Sequence, residues 1–144
     1  MIKSQQMNLK TSKIISLPKI LDPRGNLSFF ENSNQIPFDI NRTYWIYDVP
    51  GGEIRGSHAF KKSHEFIIAL SGSFDVILND GNKEIKFSLN RSYYGLYVPN
   101  LIWRSLENFS TNSLALITSS ISYDSKDYIR DFKEFQTIIN AKKK

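Results

Sequence analysis

The sequence predicts an all-β domain, a sandwich or barrel of the jelly-roll kind closed by one short C-terminal helix, and three observations lead there. From Ile14 to Leu116, short apolar segments rich in β-branched and aromatic residues alternate with turn signals. Two of those segments are joined through Asp80-Gly81, a dipeptide that supplies the positive φ angles of a tight hairpin. Beyond Asp127 the apolar spacing changes to every three or four residues.

In chain order, the turn Asp22-Pro23-Arg24-Gly25 precedes a strand from Leu27 to Glu31, and a second strand runs from Arg42 to Val49 into Pro50-Gly51-Gly52. Glu65 to Leu70 is a third strand, ended by Ser71-Gly72-Ser73. Phe74 to Leu78 and Ile85 to Leu89 are the arms of the Asp-Gly hairpin. Gly95 to Val98 stops at Pro99-Asn100, and Leu114 to Ser120 is the last strand in the series. The helix is expected over Asp127 to Ile139, where Tyr128, Ile129, Phe132, Phe135, Ile138 and Ile139 share one face. Eight or more short strands favour a jelly roll because it limits exposed sheet edges. No linker or internal repeat interrupts residues 1–144, so one domain is expected, with its core over about 13–135 and a frayed lysine tail.

Composition narrows the function. Apolar residues make up 40% and charged residues 23% of 144, enough to bury a core. The absence of cysteine excludes a disulfide scaffold, thiolate metal sites and a cysteine nucleophile. No apolar run approaches the ~20 residues that span a bilayer, and Met1 to Lys13 lacks the apolar stretch of a signal peptide; a cytoplasmic protein without membrane contact is the expectation. Of the net charge of +5, three positive charges sit on Lys142, Lys143 and Lys144. No basic helix accompanies them, so no nucleic-acid partner is expected, whereas the scattered arginines suit a small anion.

The strongest chemical signal lies between Gly52 and Gly72. Gly52, His58, Phe60, Glu65 and Gly72 reproduce the first cupin motif, G-x5-H-x-H-x3-4-E-x6-G, with one replacement. Gly95, Pro99, Arg104 and Asn108 follow the second cupin motif more weakly. Metal-dependent cupins hold their ion with two histidines and a glutamate of the first motif and a histidine of the second. Those positions read His58, Phe60, Glu65 and Arg104, which falls short of the three or four ligands of a transition metal, so no metal is expected.

A closer resemblance runs across residues 13–135. The stretches Asp22 to Leu27, Arg42 to Pro50, Arg55 to Ala59, Gly95 to Pro99 with Trp103-Arg104, Asn108 to Ser110, and Tyr123-Asp124 with Asp127 to Asp131 resemble the nucleotide-sugar 3,4-ketoisomerase family. The resemblance implies a cofactor-free cupin homodimer that moves the ketone of a dTDP-4-keto-6-deoxyhexose from C4 to C3, on a route to the amino sugars of surface polysaccharides.

Such a reaction needs a base at C3, a field that stabilises an enediolate, and an acid at C4. His58 is the acid/base candidate because imidazole titrates near working pH. Tyr44 and Arg55 are placed with it as catalytic, and Arg42, two positions from Tyr44, shares that residue's strand face. The candidate substrate contacts are Arg24, Arg42, Lys62 and Arg104, together with Phe60, Glu65 and Trp103. Of these, Glu65 is also a possible hydrogen-bond partner of His58. Arg24, Arg42, Arg55, Arg104 and Arg130 offer the planar donors a diphosphate wants. His64, in a polar turn, is expected on the surface.

The departure from the family is Phe60, where relatives carry a second histidine. Three readings stay open: His58 makes both transfers, a related proton shift occurs with other stereochemistry, or the protein is an inactive cupin that binds a dTDP-sugar.

Overall fold

Side chains that alternate between two faces give each strand one face to bury, and this chain meets the requirement with two antiparallel sheets packed on each other. Leu9 and residues 11–143 are described by the computed structural model. Among them the strands are β1 (Lys13–Ser16), β2 (Lys19–Ile20), β3 (Leu27–Ser28), β4 (Arg42–Tyr47), β5 (Arg55–Phe60) and β6 (Glu65–Ser71). Then come β7 (Phe74–Asn79), β8 (Glu84–Leu89), β9 (Tyr94–Val98), β10 (Trp103–Glu107), β11 (Leu114–Ser119) and β12 (Tyr128–Ile129), followed by helix α1 (Phe132–Lys142). One sheet has the order β1-β9-β6-β11-β4 and the other β12-β5-β10-β7-β8, while β2 and β3 form a small separate ladder. The core between the sheets draws Ile67, Leu96 and Ile117 from the first and Val76, Leu78 and Leu106 from the second. The expected all-β architecture with a C-terminal helix is the observed one.

Both large sheets also carry cover on part of their outer faces. Phe66 and Ile68 of β6 point away from the central core and pack under Ile36, Phe38 and Phe30. Helix α1 lays Phe135 and Ile139 on Ala59 of β5 and Ile129 of β12. Each such ring or aliphatic chain, once buried, contributes about 1.5–3 kcal/mol. Leu9 and Ile139 join the buried set, so the core extends a little beyond the expected 13–135.

The Asp-Gly hairpin forms as expected, with Asn79 opposite Glu84 and Gly81 at φ 97°. Three local expectations are corrected. Leu27 to Glu31 is strand only over Leu27–Ser28. The helix begins at Phe132 rather than Asp127, because the Asp131 carboxylate caps it by accepting from the Glu134 amide at 3.2 Å. Asp127 instead closes a 3-10 turn, Ser125–Asp127, and its buried carboxylate accepts from the Lys62 amide (2.7 Å) and the Ser63 hydroxyl (2.6 Å). Lys142 is still helical and Lys143 caps the helix, while Lys144 lies outside the described residues. His64 is half-buried rather than on the surface, with Nδ1 2.6 Å from the Tyr97 hydroxyl.

Strands β5 and β10 are the pair that the hydrophobic alternation does not predict, and they build the site. Arg104 of β10 lies directly opposite His58 of β5.

Candidate active site

Where β4 closes one sheet and β5 and β12 close the other, their facing edges leave a cavity of about 500 Å³. His58, Tyr44 and Tyr128 line it, together with Arg42, Arg55, Arg104 and Arg130. Tyr123 and Trp45 complete its rim.

Cross-strand register places His58 in the interior, 8% exposed. Its ring meets Phe60 edge-on at 4.8 Å and Tyr128 at 4.9 Å. Among the described residues, its Nε2 has no hydrogen-bond partner. Burial, then the guanidinium charges of Arg104, Arg130 and Arg42, push its pKa down to about 2. That environment favours the neutral imidazole, the protonation state from which a proton acceptor starts.

Behind it lies a buried polar cluster. The Arg104 guanidinium donates from Nε to Glu65 Oε1 at 2.9 Å, from Nη1 to the Gly56 carbonyl at 3.0 Å and from Nη2 to the Tyr44 hydroxyl at 2.8 Å. Tyr44 in turn donates to Glu65 Oε2 in a short hydrogen bond. Both side chains of the Arg104–Glu65 pair are 1% exposed. Burial works against the Arg104 charge, yet Glu65 and Tyr44 outweigh it and raise its pKa. Burial also raises the Tyr44 phenol well above its usual range, so it stays protonated. Gly56 makes room for the cluster: its φ is +66°, and a Cβ there would sit 2.1 Å from Arg104 Nη1.

The remaining cations are less committed. Among the described residues, Arg42, Arg55 and Arg130 have no carboxylate within ion-pair reach. Arg42 Nη1 donates to the Tyr128 hydroxyl at 2.8 Å, and its guanidinium lies over the rings of Tyr44 (4.4 Å) and Tyr123 (4.9 Å). Arg130 lies over the Tyr128 ring at 4.2 Å. Several like charges around one cavity repel one another until an anion joins them.

The structure thus brings His58, Tyr44, Arg42, Arg55 and Arg104 to one cavity, with Phe60 and Glu65 buried close behind. It does not bring Arg24, Lys62 or Trp103 there. Arg24 is ion-paired to Asp22 at 2.7 Å and its side chain is 90% exposed, outside the cavity of its own chain. Lys62 sits in the turn between β5 and β6 that Asp127 holds. Trp103 points to the opposite face of β10 from Arg104 and packs on Phe132 and Phe135 of α1. Glu65 is not the partner of His58, because Arg104 and Tyr44 occupy both of its oxygens. Nor do three His, Asp or Glu side chains converge as metal donors among the described residues.

Sequence reasoning missed Tyr128. Counted as part of a helix, it reads as one more apolar residue; in β12 it is the ladder partner of Phe60 and a wall of the cavity.

The family described as "FdtA: WxcM-like, C-terminal" matches residues 10–140. The chain belongs to this family. A curated relative, the TDP-4-oxo-6-deoxy-alpha-D-glucose-3,4-oxoisomerase of Aneurinibacillus thermoaerophilus, is 40% identical over 128 residues, 89% of this chain and 92% of the relative. The WlaRB TDP-quinovose 3,4-ketoisomerase of Campylobacter jejuni superposes with a TM-score of 0.85 at 42% identity, covering 89% of this chain and 98% of the other. A histidine mutant of the 3,4-ketoisomerase QdtA from Thermoanaerobacterium thermosaccharolyticum, solved in complex with TDP-4-keto-6-deoxyglucose, gives 0.88 at 33% identity, with 90% and 94% covered. The cupin jelly roll and the ketoisomerase kinship expected from the sequence are therefore both found in this FdtA-family chain.

Proposed function

We propose that this chain is a sugar-nucleotide 3,4-ketoisomerase, which moves the ketone of TDP-4-keto-6-deoxyglucose from C4 to C3 through an enediolate. The observation that carries the reading is a neutral His58 whose Nε2 has no hydrogen-bond partner among the described residues, in an arginine-lined cavity, in a chain 40% identical to an oxoisomerase of that substrate. Arg42, Arg55 and Arg130 take the diphosphate, whose paired non-bridging oxygens suit planar, bidentate guanidinium donors. His58 accepts the C3 proton, and the Arg104 charge, steadied by Glu65 and Tyr44, stabilises the enediolate. Diphosphate binding offsets the cationic field on His58 and makes the imidazole a better base once substrate is in place. The relatives are named as oxo- or ketoisomerases, so the inactive-cupin reading is not favoured.

Incubation with TDP-4-keto-6-deoxyglucose in deuterium oxide, followed by NMR, tests this. The expected result is a 3-keto product; a sugar that binds but keeps its ketone at C4 overturns the reading.

We also propose a homodimer. Edge strand β1 and the β2–β3 ladder expose Ile14, Ile20, Leu21 and Leu27, an apolar surface that a second copy would cover. The sequence from Asn8 to Leu17 mixes apolar and polar residues in a way that suits pairing with a partner's sheet edge, and of that segment Asn8 and Lys10 lie outside the described residues. Light scattering should give a mass near twice 16.7 kDa; a value near 16.7 kDa refutes the dimer.

A further inference from the structure

The isomerisation moves two protons, not one. A carbon-bound proton leaves C3 and one arrives at C4; an oxygen-bound proton leaves O3 and one arrives at O4. His58 accounts for the carbon-bound proton, and Phe60 supplies no group for the oxygen-bound one. Tyr44 is a poor candidate, because its proton is held by Glu65.

We propose, resting on the ketoisomerase reading, that Tyr128 is a catalytic acid/base residue that carries the oxygen-bound proton, the task for which a second imidazole is missing at Phe60. Tyr128 lines the same cavity as His58, with its ring 4.9 Å from the imidazole. Register places it opposite Phe60, with the two rings 4.6 Å apart. The neighbouring Asp127 carboxylate pins β12 to the β5–β6 turn through Lys62 and Ser63, which fixes where the phenol stands. The Tyr128 oxygen accepts from Arg42 at 2.8 Å, and among the described residues its own proton has no assigned acceptor. The Arg42 guanidinium thus faces the oxygen on which charge would form when that proton leaves.

The steps balance. His58 removes the proton from C3, the C–H electrons form the C3=C4 double bond, and the carbonyl electrons pass to O4, which takes the Tyr128 proton. The enediolate formed at O4 is discharged by that proton to an enediol, beside an imidazolium and a phenolate. The phenolate then takes the proton from O3, the O3 electrons form the new carbonyl, and the double-bond electrons take the His58 proton at C4. Both side chains return to their starting states without a co-reactant. Arg42 and Arg130 hold the phenolate while it exists.

Tyr128→Phe tests this with the ring packing kept. Acid/base groups of this kind contribute about 10²–10⁴-fold, so kcat for TDP-4-keto-6-deoxyglucose should fall about 100-fold or more, with KM and the TDP dissociation constant within about threefold of wild type. Phe60→His added to Tyr128→Phe should return about tenfold or more of the lost kcat, which a purely structural tyrosine would not allow. A kcat within about threefold of wild type in folded, TDP-binding Tyr128→Phe overturns the role of Tyr128 and leaves the ketoisomerase reading standing. Absence of rescue by Phe60→His also overturns it, by denying that the two side chains exchange tasks. If the wild-type protein itself makes no 3-keto sugar, the ketoisomerase reading falls and this inference falls with it.

Discussion

His58→Asn is expected to lower kcat by about 10³-fold or more while TDP binding survives, because asparagine approximates the shape of imidazole without its basicity. The substitution leaves in place Arg42, Arg55 and Arg130, which line the cavity and are proposed to take the diphosphate. Single-turnover NMR and a calorimetric TDP titration separate the two effects; an active asparagine variant would remove His58 from the chemistry. The wild-type pH profile gives an independent check. With its pKa pushed down to about 2 by burial and by three arginines, His58 in the free protein stays neutral through the accessible range. The acid limb of kcat/KM should therefore lie well below 6.5, and the limb of kcat above that of kcat/KM, because bound diphosphate offsets the arginine charges. A limb of kcat/KM at or above 6.5 would contradict the environment described for His58.

The same depressed pKa has a consequence for stability, whose sign follows from which state binds the proton. Below 6.5 the unfolded imidazole is protonated and the folded one is not, so the unfolded state gains and stability is lost as pH falls from 6.5 toward about 2. At pH 4.5 the loss from His58 is about 3 kcal/mol. His64, also lowered by burial, acts in the same direction. Urea midpoints for His58→Asn should fall less steeply with acid than those of the wild type.

The fold was most legible where side chains alternate cleanly. Phe74 to Leu78 and Ile85 to Leu89, joined by Asp80-Gly81, form the expected hairpin because pattern and turn chemistry agree. The site was least legible where function breaks the pattern. In β5 the inward positions carry His58 beside Gly56, and in β10 a fully buried Arg104, so neither strand looks apolar on one face. Motif spacing found His58 and Arg104 where alternation did not. Tyr128 escaped both routes, since its spacing to Phe132 and Phe135 imitates a helix that Asp131 in fact delays until Phe132. Arg24 and Trp103 were picked for their side-chain chemistry. Their positions were set by things the sequence does not display, an ion pair with Asp22 and the packing of α1.

Removing one member of the buried Arg104–Glu65 pair should destabilise the fold by about 3–5 kcal/mol, because either replacement leaves a charge in the interior without its partner. In Arg104→Leu, Glu65 keeps only the Tyr44 hydroxyl, and the Gly56 carbonyl loses its donor. In Glu65→Leu, the guanidinium keeps two neutral acceptors, Gly56 and Tyr44, which do not balance its charge. The double replacement by leucine removes both charges together, so it should cost clearly less than the sum of the two single changes; urea denaturation of all four proteins measures the difference. Additive losses would mean that the two side chains act separately, against the geometry of the cluster. A stable double variant should nonetheless be a poor isomerase. Its enediolate would form beside an apolar wall instead of a fixed positive charge, so kcat stays low even where the fold recovers. That separation of stability from turnover would identify Arg104 as a charge retained for the reaction, with Glu65 present to make its burial tolerable.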